Sequence, residues 1–295
     1  MKNQIKYILI FFCGLIFAQG NFQILTIPAN TRMLSLSNAG HATSSLSSST
    51  HNVASLNTDN RLNINFNSHI YPASILYFNT EARIPLQNFI CSFNYANLNY
   101  GEFKDAESNY SFNSSEFLFK GTIKTELGKK VSFGASFNYA INKIANQFSH
   151  AMLLSLGIRT QLNNPKFGLG LAINNIGKIL DNTYGINENL PTSFNLSTFY
   201  CPKNFPGFLL LDIVQFTNVD KIQIHLGLEI KIGDYLLVRF GNSNNALDLY
   251  DADSSYFPGL SGGIGIISKK WNIDVGFFNL ESAGIVSSLS IIHKI

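Results

Sequence analysis

The segment from Val131 to Asn174 constrains the fold more than any other part of the chain, because large apolar residues alternate there with small or polar ones. Successive side chains of an extended strand point to opposite faces. One face of the first run carries Val131, Phe133, Ala135, Phe137 and Tyr139, and the other carries Ser132, Gly134, Ser136 and Asn138. Leu153 to Gln161 and Phe167 to Asn174 repeat the pattern without a helical period between them. A sheet with lipid on one side and a polar lumen on the other has this pattern.

From Leu62 onward the chain is a series of runs of strand length. We count fourteen: 62–70, 74–84, 88–100, 114–127, 131–143, 150–161, 166–175, 192–201, 207–216, 222–232, 235–243, 258–268, 271–279 and 286–295. Most reach the roughly 9 to 11 residues that a tilted strand needs to cross a bilayer. An even count suits a closed barrel. The sequence therefore predicts an all-β transmembrane antiparallel β-barrel of about 14 strands over residues 62–295.

The connections between these runs alternate in length, which is a second sign of a membrane barrel. Outer-membrane barrels have short periplasmic turns and longer external loops. Brief connections include 85–87, 128–130 and 233–234, and the long ones are 101–113, 175–191 and 243–257; the connection around Tyr71 to Ala73 is an exception. A soluble β-sandwich has no reason to separate its loops in this way.

The first 18 residues have the build of a secretory signal peptide. Lys2 and Lys6 precede an apolar run from Tyr7 to Phe17, and small residues follow near Ala18. The alternative, a membrane anchor, would need about 20 apolar residues. We expect cleavage near Ala18 or Gly20 and location in the outer membrane. Residues 19–61 lack sustained periodicity, and we expect them to form a plug or a periplasmic segment.

Charge and cysteine content exclude some classes of function. Removing Lys2 and Lys6 changes 21 basic and 18 acidic residues to 19 and 18, so no basic surface is available for nucleic acid. Charged residues make up only 13% of the chain, and a lipid-facing surface explains this scarcity. Cys91 and Cys201 remain after cleavage; we expect free thiols, with a disulfide as the alternative.

The sequence carries no recognisable catalytic or metal-binding motif. The six histidines have no metal-ligand spacing, and neither a Gly-x-Ser-x-Gly elbow nor a glycine-rich loop before a helix occurs. Gly262, Gly263 and Gly265 are expected to relieve crowding on the inner barrel face. We therefore predict a protein without cofactor or metal that is not an enzyme.

The long connection 243–257 is the candidate site for binding a partner. Its candidate residues are Asp248, Tyr250, Asp251, Asp253, Tyr256 and Phe257. The acidic residues do not follow the calcium-binding EF-hand pattern, so a solvated loop is favoured. The aromatic residues could anchor a protein partner, because aromatic side chains dominate binding hot spots, or could pack at the membrane interface.

Several stretches in order resemble the PorV/PorQ family of outer-membrane barrels, relatives of the FadL type. They are Phe22 to Arg32, Ser37-Asn38-Ala39-Gly40, Leu98 to Phe103, Ile173 to Gly177, Gly259 to Gly265 and Asp274 to Phe278. Leu98 to Phe103 favours the PorQ branch. Asn52-Val53-Ala54 departs from the family's Asn-Pro-Ala, which puts the local turn in doubt.

The resemblance implies a fourteen-stranded barrel with a non-enzymatic accessory or anchoring role in type IX secretion, typical of Bacteroidota. Expected partners are membrane lipid and proteins of the surface attachment complex. The alternative is a FadL-like uptake barrel for hydrophobic small molecules, in which the N-terminal segment plugs the lumen. An apolar pocket in the barrel would favour uptake, and an external docking surface would favour the accessory role.

Overall fold

The computed structural model describes residues 22–44, 52–57, 59–104, 110–128, 130–162, 167–182, 189–218, 221–245 and 258–295. Its fold is a closed barrel of fourteen antiparallel strands, each paired with its neighbours in the chain. The barrel closes where Asn63 to Ile70 of the first strand pair with Lys294 to Ser287 of the last. The prediction of an all-β barrel with about 14 strands is confirmed.

The fourteen strands have these bounds: β1 Asn63–Ile70, β2 Leu76–Pro85, β3 Phe89–Lys104, β4 Ser111–Leu127, β5 Val131–Ile144, β6 Gln147–Gln161, β7 Phe167–Asn182, β8 Ser193–Tyr200, β9 Gly207–Phe216, β10 Ile222–Ile232, β11 Leu236–Ser243, β12 Leu260–Ile267, β13 Trp271–Asn279 and β14 Ile285–Lys294. The α-helix α1 spans Thr31–Ser35, and single 3-10 turns span Gln23–Leu25, Val53–Ser55, Pro72–Ser74 and Glu281–Ala283. No helix among the described ranges is both long and apolar enough to cross a membrane.

The barrel wall is taller on one side than on the other. Strands β3 to β7 have 14 to 17 residues, whereas β8 to β14 have 8 to 11. Much of the long connection predicted over 101–113 is therefore strand, because β3 and β4 remain paired as far as Lys104 and Ser111. The extra length lies at the end opposite the short turns. That end is extracellular in barrels of this class.

Polarity is reversed relative to a soluble protein, as the alternating pattern predicts. On β3, the outward Phe93 is 63% exposed, while the inward Ser92 and Asn94 are buried. Large exposed apolar side chains recur on the outer face of every strand from β1 to β14. Buried asparagine, serine and charged residues occupy the inner face. An outer face of this kind is suited to lipid and not to water.

Candidate functional site in the barrel lumen

Residues 22–44 and 52–57, called the lumen segment below, lie inside the barrel and are mostly buried. The segment contacts strands that are far apart in the chain. Thr31 N donates to Ser290 Oγ at 2.9 Å, and Ile24 N donates to Glu116 Oε2 at 2.8 Å. Because these contacts reach β14 and β4, which are not neighbours in the barrel, the lumen segment crosses the interior.

Helix α1 is stabilised by one capping residue, and it packs against a part of the barrel wall where glycines leave room for it. Asn30 caps the helix by accepting from Met33 N at 2.9 Å. A Cβ atom at Gly263 or Gly276 would overlap the side chain of Ser35, and one at Gly241 would overlap the backbone at Leu36. These inner-face glycines therefore leave room for the helix. Gly262 differs, since its missing side chain would point toward Phe277.

A buried cluster of four charges joins the lumen segment to the wall. Glu229 of β10 accepts from Arg32 Nε at 2.8 Å and from Arg239 Nε of β11 at 2.7 Å. Arg239 also donates to Asp274 of β13 at 2.5 Å. All four side chains are buried. Two guanidinium groups offset two carboxylates, and this pairing makes the burial of the charges tolerable.

A second buried contact holds the segment further along. Asp212 Oδ2 of β9 accepts from the backbone N–H groups of Gly40 and His41, at 2.6 and 2.9 Å. His41 Nδ1 lies 2.9 Å from the same oxygen. On the neighbouring strand, His225 forms a 2.7 Å hydrogen bond with the carbonyl of Ser37. The carboxylate thus fixes the backbone beyond α1.

Among the described residues, the lumen holds at least two spaces. The larger, with a volume of about 540 Å³, lies at the short-turn end of the lumen between β8 and β12. Its lining is Cys201, Phe205, Pro206, Gly207, Phe208, Glu229, Lys231, Gly233, Leu237 and Ile267. We call it the periplasmic cavity. Drug-sized ligands bind in mostly apolar spaces of roughly 300 to 1,000 Å³, and this cavity has that size and character.

The smaller space, about 50 Å³, lies in the middle of the lumen between the lumen segment and strands β2 to β7. We call it the median chamber. Its volume is room for a few water molecules or a small polar group, but not for an aromatic ring.

The six candidate residues for partner binding, Asp248, Tyr250, Asp251, Asp253, Tyr256 and Phe257, lie outside the described residues. Partner binding there remains a prediction, as does the signal peptide over residues 1–18. Cys91 and Cys201 are free thiols, as expected. In the described part of the chain, no three histidine, cysteine or acidic side chains are grouped as metal ligands.

The alternating pattern of β10 places Glu229 on the inner face of the barrel, but the sequence analysis did not identify its partners, Arg32 and Arg239. Arg239 could have been found from strand parity, since it shares the inner face with Leu237 and Gly241. A charge on that face must be paired or solvated. Arg32 carried no such signal, because it lies outside the strands and its partner is 197 residues away.

The fold resembles solved structures of outer-membrane transport barrels. The CymD monoaromatic hydrocarbon channel is 12% identical, with 90% of this chain and 97% of that chain covered and a TM-score of 0.66. The toluene transporter TbuX of Ralstonia pickettii is 10% identical, with 89% and 97% covered and a TM-score of 0.59. A FadL homologue of Pseudomonas aeruginosa is 10% identical, with 91% and 97% covered and a TM-score of 0.54.

These likenesses show a FadL-like barrel fold. No protein-family model matches the chain, and no curated protein matches it. The PorV/PorQ resemblance therefore remains a prediction.

Proposed function

We propose that this protein is an outer-membrane channel for small hydrophobic molecules. The observation that carries the proposal is the apolar periplasmic cavity, which has the volume of a binding site for a small ligand. Structures with the same fold include proteins described as a monoaromatic hydrocarbon channel and a toluene transporter, which supports this substrate class. A fold can host several functions, so the cavity carries more weight than the likeness.

The arrangement suggests how such a molecule would pass. Phe205, Phe208, Leu237 and Ile267 offer an apolar surface at the periplasmic end of the lumen. The lumen segment occupies the space above, held by Glu229, which also lines the cavity. A molecule moving through the barrel would therefore require the segment to shift. The cavity would be the last position at which the molecule binds before it enters the periplasm.

Cys201 provides a direct test, because its thiol lines the cavity. In a Cys91→Ser background, we expect toluene to slow alkylation of Cys201 by a maleimide several-fold. The matched control is Cys201→Ser with Lys203→Cys, which moves the thiol to an exposed position in the same turn. Toluene should leave labelling of the control unchanged. Equal labelling of Cys201 with and without toluene would refute binding in the cavity.

A second candidate is the accessory role in type IX secretion, and the tall wall β3 to β7 favours it. At the outer end, Phe103 stacks on Phe112 with ring centroids 5.5 Å apart, and Phe103 is 44% exposed. Aromatic side chains of this kind are frequent in protein interfaces. This surface, together with the connection around Tyr250, could hold surface attachment proteins.

Purification of the tagged barrel from its own outer membrane tests this second candidate. Co-purification of surface attachment proteins, lost on deletion of residues 248–257 or in Phe103→Ser, would support it. Recovery of the barrel without them would count against it and leave the uptake proposal standing.

A further inference from the structure

The median chamber has two chemically different sides. The lumen segment supplies the apolar side with Ile24, Leu25 and Ile27. The barrel wall supplies a polar side formed by Asn94, Lys120, Asn138, Ser155, Asn174 and Asn175. If this part of the wall only packed against the apolar side of the segment, apolar side chains would be expected there, because burying amide groups without hydrogen-bond partners costs free energy.

The polar side is a row of side chains at one height of the barrel. Glu81 of β2 is opposite Asn94 of β3, Asn94 is opposite Lys120 of β4, and Lys120 is opposite Asn138 of β5. The charges of Glu81 and Lys120 attract each other. The row therefore carries one positive and one negative charge, which compensate each other. It offers no uncompensated charge that could form an ion pair with a charged ligand.

The row continues into an irregularity between β6 and β7. Ser155 faces two residues of β7, because the pairing shifts between Leu154 and Leu156. Ser155 Oγ accepts from Asn138 Nδ2 at 3.4 Å and from Asn175 N at 3.2 Å. The bulge thus adds a hydroxyl and a second asparagine to the chamber.

Polar groups at this end of the chamber are buried without protein partners. Asn174 lines the chamber and is 3% exposed, and its Nδ2 has no hydrogen-bond partner in the part of the chain that the structure describes. On the adjacent strand β8, Ser193 Oγ and both amide atoms of Asn195 also have no partner among the described residues, although these two residues do not line the chamber. Buried polar groups are nearly always satisfied, so these atoms indicate a missing polar group.

We propose that the median chamber binds the uncharged polar end of an amphipathic molecule, such as the hydroxyl group of a phenol or an alcohol. This inference rests on the proposed uptake of hydrophobic molecules and narrows their class. Asparagine amides both donate and accept, so they match a hydroxyl group, which does the same. The volume admits the hydroxyl group alone, and the hydrocarbon part would occupy space that the lumen segment leaves when it shifts. The chamber thereby selects amphipathic molecules over pure hydrocarbons.

The test compares 4-methylphenol with toluene, which differ only by the hydroxyl group. Binding is measured by calorimetry on the barrel in nanodiscs, with the signal of empty nanodiscs subtracted. We expect 4-methylphenol to bind at least tenfold more tightly, because a site built to hydrogen-bond a hydroxyl group rejects the analogue without it. Asn174→Leu should reduce the preference to twofold or less, and Asn174→Ala serves the same purpose if the larger residue impairs folding.

The matched control is Asn65→Leu. Asn65 is also buried, faces inward on β1 and has an unpartnered Oδ1 within the described residues, but it does not line the chamber. This variant should keep the full preference for 4-methylphenol.

The outcomes separate this inference from the proposed function. If toluene protects Cys201 but 4-methylphenol binds no more tightly, the chamber holds water only and this inference fails alone. Retention of the preference in Asn174→Leu would also overturn it. If neither aromatic compound binds, both proposals fail.

Discussion

Replacing Arg32 with methionine should release the lumen segment from the barrel wall. Arg32 makes two hydrogen bonds to the Glu229 carboxylate, at 2.8 and 3.2 Å, and a third to Thr43 Oγ1 at 3.2 Å. Methionine keeps much of the side-chain volume and removes the charge. The change therefore tests the ion pair with little effect on packing.

The free energy lost in Arg32→Met depends on the hydrogen bonds that Glu229 retains. Hydrogen bonds to charged groups contribute about 1.5 to 3 kcal/mol each, and breaking a buried ion pair costs about 3 to 5 kcal/mol. Glu229 retains Arg239 at 2.7 Å, so its charge stays compensated and the low end applies. A loss of about 3 kcal/mol raises the ratio of released to docked segment roughly a hundredfold.

Single-channel recording in planar bilayers measures this ratio as the fraction of time spent open. The open fraction of Arg32→Met should be on the order of a hundred times that of the unmodified barrel. Arg61→Met is the matched control, because Arg61 pairs with Asp59 just before β1 and its side chain is exposed. It should leave the open fraction unchanged.

A double-mutant cycle identifies the cause. Arg32→Met and Glu229→Met, singly and together, should give a coupling energy of about 2 to 3 kcal/mol if the two side chains interact as the structure shows. A coupling below about 0.5 kcal/mol, or an open fraction of Arg32→Met equal to that of Arg61→Met, would refute the reasoning.

Two further predictions concern packing and membrane depth. Gly134→Ala should destabilise the barrel by about 1 to 3 kcal/mol, because its Cβ atom would lie 2.5 Å from the backbone of Val53. Gly121→Ala is the control and should have no such effect, because no atom lies within 4 Å of the added Cβ atom. The unfolding temperature of each variant in a gel-shift assay measures the difference. Phe93→Arg should cost up to about 2 to 4 kcal/mol in folding into lipid vesicles, because Phe93 is a 63% exposed apolar side chain on the lipid-facing side of the wall. Phe103→Arg at the outer end of β3 should cost about 1 kcal/mol or less, and an equal cost at both positions would show that the tall wall does not project from the membrane.

The barrel could be predicted from sequence because its determinants are local. A strand such as β5 shows its two faces through the residues from Val131 to Tyr139, and lipid imposes the same requirement on every strand. Strand ends were harder to place. β3 was expected to end at Tyr100 and extends to Lys104, because a bulge at Gly101, with φ of 85°, lets the pairing with β4 continue. Glycine signals a break in a strand as readily as a bulge.

The lumen contacts could not be predicted, because they join residues far apart in sequence. The pairing of Ile24 with Glu116 spans 92 residues, and that of Thr31 with Ser290 spans 259. Neither residue type is unusual at its position. Only the closed barrel brings them together.

The two spaces in the lumen are best understood together. A plug that served only to seal the barrel would be expected to satisfy the inner-face polar groups throughout, as the Arg32–Glu229 pair does in its surroundings. Around Asn174 and Asn195 the segment leaves amide groups unpaired, although it packs closely enough elsewhere to require glycine in the wall. Close packing on one side and an unfilled polar recess on the other, above an apolar cavity, favour a route that a molecule enters stepwise over a permanent seal. If the proposed uptake is correct, a molecule with one polar end would reach the median chamber first and the periplasmic cavity second, and the Arg32–Glu229 contact between the segment and the wall would have to break as the molecule passes.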